Sequence, residues 1–294
     1  MSVQIDTALV QAYKSNITLL SQQRGSRLRG AVRLETQKAE FDFYDRLDST
    51  AAVEVSTRHG DTPLVNSPHD RRRVALRDFD WADLIDRKDR IRMLADPTSP
   101  YTMNAVAALG RSMDTVILEA AVGPAYTGKT GSGTKDLTLE VAVNYVESGG
   151  ATNSNLTIGK LRRANHLLRV NEGVEDGEPM FFACSQNELT ALLRTTEVAS
   201  ADYNTVKALV EGKVDTFMGF KFIQTELTTV ASSIRDCIAW AKNGLLLAVG
   251  EEIMVDVGPR RDKRNSTQVY VCGSFGGSRM EEKKVVRVKC DETL

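Results

Sequence analysis

The feature that most restricts the fold of this chain is a long run of helical spacing that leads directly into a glycine-rich segment. Apolar residues or glycine recur three to four positions apart from Met103 to Ala120, and Ser99 and Pro100 suit the N-cap and first position of a helix. We therefore predict one helix over about 100–122. At about 1.5 Å per residue it would extend on the order of 33 Å, enough to organise a flat domain.

The segment after this helix, GPAYTGKT at 123–130, matches the phosphate-binding pattern GxxxxGK[ST]. That pattern binds phosphate when a buried strand enters it and a helix begins at its Lys-Thr pair, because the helix N-terminus then directs backbone N–H groups at the phosphates. Here a helix enters the segment, and glycines at 131 and 133 and a predicted strand over 137–143 follow it. Both requirements fail. We predict a flexible loop, and a P-loop nucleotide hydrolase remains only a remote alternative.

The charge balance argues against a chain that as a whole attracts nucleic acid or an anionic membrane. Thirty-eight basic and 39 acidic residues leave a formal net charge of −1. The apolar segment GLLLAVG at 244–250 is far too short to span a bilayer, and the N-terminus lacks the features of a signal peptide. We expect a soluble protein with no membrane partner.

Cysteine and histidine positions do not form a metal-site pattern. The four cysteines are far apart and contain no CxxC pair, so reduced thiols are favoured over disulfides or zinc; they are Cys184, Cys237, Cys272 and Cys290. Four residues of a polar loop could be drawn as a metal site but lack a ligand spacing, so turn chemistry is favoured; they are His59, Asp61, His69 and Asp70. We predict no catalytic, cofactor-binding or metal-binding residue.

The first third of the chain has little pattern typical of a core. Arginines cluster around two glycines at Arg24, Arg27, Arg29 and Arg33, which indicates an arm; we favour a solvated strip, with nucleic-acid contact as the alternative. Residues 36–90 are polar and turn-rich, with strand-like pieces at 51–56 (AAVEVS) and 72–79 (RRVALRDF). We predict a long projecting hairpin whose segment 50–75 adds little core and needs support from outside the monomer. Trp81 is interpreted as a packing anchor.

The second half alternates helices and strands. LTIGKLRRANHLLRVNEG predicts a helix with Ile158, Leu161, Ala164 and Leu168 inside, and with Lys160, Arg162, Arg163 and Arg169 on its other face; His166 is interpreted as structural. PMFFACS predicts a buried strand, and Ser185 and Glu188 form a capping box before a short helix. A further helix is predicted over 202–211, two strands around Gly219, and a short helix near Leu245 among later strands.

This order of segments resembles the major capsid proteins of tailed bacteriophages, which share the Hong Kong 97-like fold. The runs YKSNITLLSQQRGSRLRG, TRHGDTPLVNSPHDRR, DFDWADLIDRKDRIRMLADPTSPY and AALGRSMD look like one group of these proteins. The resemblance implies an α+β fold in five parts. They are the N-terminal arm (1–35), the E-loop hairpin and connector (36–90), the P-domain spine helix and strands (91–155), the A-domain (156–260) and the closing P-domain strands (261–294).

The resemblance also implies a function. It implies a non-enzymatic protein that assembles with itself as hexamers and pentamers into an icosahedral head around double-stranded DNA, bound without sequence specificity. The virion would be its location, after assembly in the host bacterial cytoplasm. Implied partners are a separate scaffolding protein, a portal and a decoration protein. An encapsulin-like shell around a protein cargo is the alternative within this fold.

Overall fold

The computed structural model describes residues 22–58, 60–86, 98–147, 149, 152–194 and 216–293. Within these ranges the chain has three helices and fifteen strands in three sheets, which confirms the predicted α+β class. The predicted helix over 202–211, residue His59 and residues 1–21 lie outside the described ranges. None of the helices described is long and apolar enough to cross a membrane.

The elements have the following bounds. The helices are α1 Thr98–Val122, α2 Ile158–Val170 and α3 Gln186–Arg194. The strands are β1 Arg33–Thr36, β2 Phe41–Leu47, β3 His69–Ala75, β4 Arg77–Ile85, β5 Ala125–Thr127, β6 Gly133–Lys135, β7 Glu140–Val141, β8 Met180–Cys184, β9 Thr216–Phe217, β10 Phe220–Gln224, β11 Val230–Ala231, β12 Ile234–Ala241, β13 Leu245–Arg260, β14 Ser266–Arg279 and β15 Val285–Asp291.

The chain divides into two compact units. The first combines Arg77–Asp114 and Gly250–Phe275 with the described residues before Arg27. The second combines Arg27–Leu76, Thr115–Val249 and Gly276–Leu294. Each unit therefore draws on segments that are distant in sequence.

In the first unit, strands β4 and β14 pair antiparallel along nine residues and carry a small apolar core. Ala105 and Leu109 of α1 join Val269 and Val271 in this core, and Trp81 packs against it, which confirms Trp81 as a packing anchor. The helix also explains one glycine of the AALGRSMD run. A Cβ at Gly110 would lie 2.6 Å from the backbone of Gly25, so only glycine permits this approach.

The core of the second unit is a seven-stranded sheet covered by α2. Its strand order is β7-β15-β12-β8-β10-β9, with β11 paired to β12. All five residues of β8 are buried, as the sequence PMFFACS predicts. The predicted inward side chains of α2 are buried as well; they are Ile158, Leu161, Ala164 and Leu168. The predicted turn before β10 is confirmed, with positive φ at Met218 and Gly219.

The capping box before α3 is confirmed. The hydroxyl of Ser185 accepts a hydrogen bond from the N–H of Asn187 at 3.1 Å, and the Glu188 carboxylate accepts one from the N–H of Ser185 at 2.8 Å. Both side chains are fully buried. The helix start is therefore fixed by its own first turn.

Two local predictions are wrong. Residues 51–56 (AAVEVS) form no strand and are exposed, because their alternation has no neighbouring strand to pair with. The strand predicted over 137–143 is limited to Glu140–Val141. The short helix predicted near Leu245 is present as a 3₁₀ helix at Lys242–Gly244, after which Leu245 begins a strand of 16 residues.

Candidate assembly interface

Three consecutive arginines in β3 define the centre of the candidate site, because strand alternation sends them to opposite faces of a sheet. Arg72 is fully buried, whereas Arg71 and Arg73 lie on the outer face and are partly exposed. Strand β3 pairs antiparallel with all of β2, and β5 and β6 extend the sheet to four strands. One face of this sheet therefore lies in the interior of the second unit, although its strands contain many charged residues.

The inner face holds a cluster of ion pairs centred on Glu282. Its carboxylate accepts a hydrogen bond from Arg72 at 2.5 Å, and it lies 3.8 Å from Arg46 and 4.0 Å from Arg279. Arg72 and Arg279 are both fully buried. Because one carboxylate serves three guanidinium groups, its loss would leave buried positive charge without compensation.

Asp70 is the second anion of this cluster. It accepts hydrogen bonds from Arg46 at 2.8 Å and from the Thr127 hydroxyl at 2.5 Å, and it lies 3.6 Å from Arg72. Burial acts to raise the pKa of Asp70, but the hydrogen bonds from Thr127 and Arg46 outweigh it, so this pKa falls well below its ordinary value of 3.8. The carboxylate thus joins β2, β3 and β5.

Arg279 closes the C-terminal end of helix α1. Its guanidinium donates to the carbonyls of Ala121 at 2.9 Å, Gly123 at 2.8 Å and Lys135 at 2.8 Å. The last carbonyls of a helix lack partners within it and carry the negative end of the helix dipole, so a buried cation is well suited to this position. The same negative end would repel a phosphate.

The phosphate-pattern segment forms the first strand and part of the turn of a β-hairpin at this helix end. Residues 125–127 and 133–135 pair antiparallel as β5 and β6, and Gly128 and Gly131 adopt positive φ in the turn between them. Lys129 lies exposed in that turn. The prediction that a helix enters and none follows is confirmed. The predicted flexible loop is wrong, because residues 125–127 form a strand and the residues after them turn back to β6.

The part of the chain between β2 and β3 contrasts with this sheet. We call β2 and β3 the hairpin base and residues 48–68 the hairpin tip. The tip has no strand in its described residues, and the N–H of Asp48 closes its neck by donating to the Pro68 carbonyl at 3.1 Å. Leu64 is 93% exposed and Val55 is 71% exposed. The predicted hairpin is present. The prediction that all of 50–75 adds little core is wrong for 69–75, because these residues form β3 and Val74 is buried in an apolar cluster. That the tip is dispensable for folding stays a prediction.

Of the residues considered as metal ligands, His59 lies outside the described residues. His69 and Asp70 lie in β3, so the turn interpretation is wrong for both, and the Asp70 oxygens bind Arg46 and Thr127. Among the described residues, no group of three or more histidines, cysteines or acidic residues could hold a metal ion. The four cysteines are buried and free.

The sequence prediction assigns Lys160 to the wrong face of α2. It was expected on the outer face of α2 but is fully buried, and its ammonium donates to the carbonyls of Val143 at 2.8 Å, Ser154 at 2.6 Å and Lys289 at 2.8 Å. Burial lowers its pKa from the ordinary value. Three carbonyl oxygens satisfy all three N–H donors, which is why a lysine is tolerated here. His166 is exposed on the same helix.

The arginine cluster near the N-terminus is partly built into the second unit. Arg27 donates to the Gln224 carbonyl at 2.6 Å, and Arg33 pairs with Glu35 at 2.6 Å. Leu28 is fully buried, and Trp240 donates its indole N–H to the Ala31 carbonyl at 2.9 Å. The interpretation of this stretch as an arm outside the core is therefore wrong for residues 28–35.

A family model described as "Phage capsid protein" matches residues 5–292. The chain belongs to the phage capsid protein family. No curated protein sequence matches it. This phage capsid protein is a structural component of the virion.

Solved capsid structures share the fold at low sequence identity. The acid-stable capsid of Helicobacter pylori bacteriophage KHP30 is similar with a TM-score of 0.71 and 11% identity, over 99% of this chain and 98% of that chain. A chain of Mycobacterium phage Che8 gives 0.70 and 13%, over 97% and 98%. The cyanophage Pam1 capsid gives 0.67 and 12%, over 97% of each chain. The capsid protein therefore has the Hong Kong 97-like fold.

Sequence reasoning missed the ion cluster for a definite reason. The pair Arg46 and Asp70 and the pair Arg72 and Glu282 are separated by 24 and 210 residues, so no local pattern connects them. One signal was available. The run HDRRRVA alternates its arginines across a strand, and a strand in a sheet with one buried face must bury at least one of three adjacent side chains.

Proposed function

We propose that this capsid protein assembles as hexamers and pentamers into an icosahedral phage head that encloses double-stranded DNA, and that it has no enzymatic activity. The observation that carries the proposal is the hairpin tip. A 21-residue segment (48–68) that exposes Leu64 and Val55 contributes almost nothing to the core of its own subunit. Exposed apolar side chains on a projecting segment are typical of a surface that becomes buried in an assembly.

The parts of the fold are assigned accordingly, as a proposal. We assign 1–35 to the N-terminal arm, whose residues 28–35 are anchored on the second unit, 36–90 to the E-loop hairpin and connector, and 91–155 to the spine helix and strands of the P-domain. Residues 156–260 form the A-domain, and 261–294 the closing P-domain strands. Under this assignment helix α1 is the spine helix, and the hairpin tip is the end of the E-loop.

The absence of catalysis is supported by the setting of the phosphate pattern. The segment lies at the C-terminal end of α1, where Arg279 binds the carbonyls of Ala121 and Gly123. A phosphate site needs the opposite end of a helix.

The partners follow from the same proposal. They are other copies of the chain, a separate scaffolding protein, a portal, a decoration protein and packaged DNA. A formal charge of −1 suits a shell that encloses DNA without holding it tightly. Assembly would take place in the host bacterial cytoplasm. An encapsulin-like shell is less well supported, because the matching family is that of phage capsids.

Negative-stain electron microscopy of the purified full-length chain tests the proposal. We expect closed or open shells, or rings of five and six subunits, across a range of ionic strengths and with or without a molecular crowder. A uniform monomer in every condition would contradict self-assembly.

A further inference from the structure

The outer face of the hairpin sheet carries a ladder of arginines and aromatic rings. The Arg73 guanidinium lies 5.0 Å from the ring centre of Phe41 and 4.8 Å from that of Tyr126, so it is held between two rings. The Arg71 guanidinium lies 5.4 Å from the ring centre of Phe43. We call these five residues the arginine–aromatic face. Phe41 and Tyr126 remain 44% and 43% exposed, so the face is open in a single subunit.

The position of Arg73 is fixed by its surroundings. A Cβ at Gly131 would lie 2.5 Å from the Arg73 side chain, so a glycine in the hairpin turn makes room for the arginine stem. The Nε atom of Arg73 is buried and has no hydrogen-bond partner among the described residues. Aromatic rings attract a cation but accept no strong in-plane hydrogen bond. The buried Nε is out of reach of a second molecule, so only the terminal nitrogens of this partly exposed side chain can donate to a carboxylate or a phosphate.

A sheet face of the first unit carries the opposite charge. Val269 and Val271 of β14 face the apolar core, so strand alternation places Tyr270 and Ser274 on the other face. Asp78 and Asp80 of β4 lie on that face too, because they pair with Ser274 and Cys272. The Tyr270 hydroxyl donates to Asp80 at 2.8 Å, and the Ser274 hydroxyl donates to Asp78.

Strand β13 adds to this charge. Ile253 packs against the apolar core, so alternation places Asp256 and Arg260 on the face that carries Asp78 and Asp80. We call Asp78, Asp80 and Asp256 the acidic face, and all three residues are exposed. Hydroxyl donors fix the directions of Asp78 and Asp80 but do not neutralise them, and Arg260 is paired with Asp262 at 2.9 Å, so the face keeps a net negative charge.

We propose that the arginine–aromatic face of one subunit docks on the acidic face of a second copy. This inference rests on the proposed self-assembly, and it names the surfaces that meet. The two faces are opposite in net charge, because Asp45 pairs with Arg71 and leaves the charge of Arg73 in excess on one of them, and each is exposed in a single subunit. Paired guanidinium and carboxylate groups between flat sheet faces would set the register of the contact, because like-charged alignments are repelled.

The same face is less suited to nucleic acid. Single-strand binding uses aromatic rings that are free to stack on bases, whereas Phe41 and Tyr126 are already stacked on Arg73. Asp45 also lies on this face, 2.9 Å from Arg71, and reduces the positive charge of the face for a phosphate and a carboxylate alike. A second copy is favoured over single-stranded nucleic acid because the rings are already occupied.

Charge reversal tests the contact. One variant carries Arg71→Glu and Arg73→Glu, and another carries Asp78→Arg and Asp80→Arg. Each alone places like charges at every contact, and we expect the yield of assembled particles to fall about tenfold or more. An equal mixture restores opposite charges wherever the two variants alternate. Even-membered rings should then recover, whereas a five-membered ring keeps one like-charged contact.

Controls separate this inference from the proposed function and from misfolding. Circular dichroism melting shows whether each variant is folded, and Arg71→Gln with Arg73→Gln provides a milder variant if the reversal unfolds the chain. Arg169→Glu on the exposed face of α2 is the matched control and should assemble normally. If wild-type protein forms shells and both folded reversal variants do so equally well, the inference is wrong while self-assembly stands.

Two further outcomes decide between partners. Recovery of particles in the equal mixture of the two reversal variants, above the yield of either variant alone, supports the contact between copies. Fluorescence anisotropy with a labelled DNA oligonucleotide tests the alternative. Salt-sensitive DNA binding that disappears in the Arg71→Glu, Arg73→Glu variant while its assembly is unchanged would assign the face to nucleic acid and overturn the proposal.

Discussion

The base and the tip of the same hairpin reverse the usual rule that charged side chains are exposed and apolar side chains are buried. In the base, Arg72 is fully buried among carboxylates, whereas in the tip Leu64 is 93% exposed. The two regions are adjacent in sequence, and the base is the more highly charged, with seven Asp or Arg among its 14 residues against four Asp, Glu or Arg among the 21 of the tip, so charge does not predict which region is buried. What differs is the number of neighbours that the subunit itself supplies. The base is complete within one chain, and the tip has apolar side chains that only another molecule can cover.

This difference predicts that the base and the tip have separate roles. The base determines subunit stability because its ion cluster excludes water and must remain paired. The tip determines assembly because its burial occurs only between subunits. Changes in the base should therefore alter the free energy of unfolding, and changes in the tip should alter particle formation alone.

The largest effect is expected for Glu282→Gln. The substitution keeps the shape of the side chain but leaves Arg72 and Arg279 buried without their shared anion, and losing one partner of a buried ion pair costs about 3–5 kcal/mol. Urea unfolding measures the change. Glu281→Gln, next to it in sequence, is the control and should change stability by about 0.5 kcal/mol or less. Equal stability of the two variants would show that the cluster does not hold the base.

A smaller, pH-dependent effect is expected for Asp70→Asn. Because the folded state lowers the pKa of Asp70, its carboxylate contributes stability that is fully present above the ordinary value of 3.8 and lost as pH falls through the lowered pKa. The wild type should therefore have a larger free energy of unfolding than Asp70→Asn at neutral pH. The difference between the two free energies should become smaller below about pH 4. Thermal melts at a series of pH values measure it. A gap that is constant with pH would contradict the role of this ionisation.

The smallest effect on stability is expected for removal of the tip. Replacing 49–67 with a short Gly-Ser bridge preserves Asp48 and Pro68 at the neck and shortens the loop, which changes the free energy of closure by about 1 kcal/mol or less. The subunit should melt cooperatively near the wild-type temperature but form no shells. Particles like those of the wild type from this deletion would remove the tip from the assembly contacts.

The parts of the fold that could be predicted from sequence are those whose cause is local. Helix α1, the capping box of Ser185 and Glu188 and the buried strand β8 follow from spacing and capping within a few residues. The rejection of the phosphate pattern was also local, because a helix visibly enters it. The family could be recognised from the sequence because runs from several parts of the chain resemble known capsid proteins.

The parts that could not be predicted depend on distant partners. Lys160 has the sequence signature of an exposed helix residue, and only the carbonyls of Val143, Ser154 and Lys289 make its burial possible. Residues 51–56 alternate like a strand but have no neighbour to pair with. The arginine–aromatic face likewise needs the register of β2, β3 and β5, which no single segment specifies.

The hydrogen bond from Arg279 to the end of α1 also limits when the nascent chain can complete its fold. The Arg279 guanidinium and the Ala121 carbonyl are 158 residues apart in sequence. At a synthesis rate of about 5–20 residues per second, the arginine emerges roughly 8–30 s after the helix end that it caps. Until then the terminal carbonyls of α1 lack this donor, and the sheet beside them lacks the anion of Glu282. A nascent chain therefore cannot complete the hairpin base, and a subunit becomes competent to join others only when nearly all of it has been made.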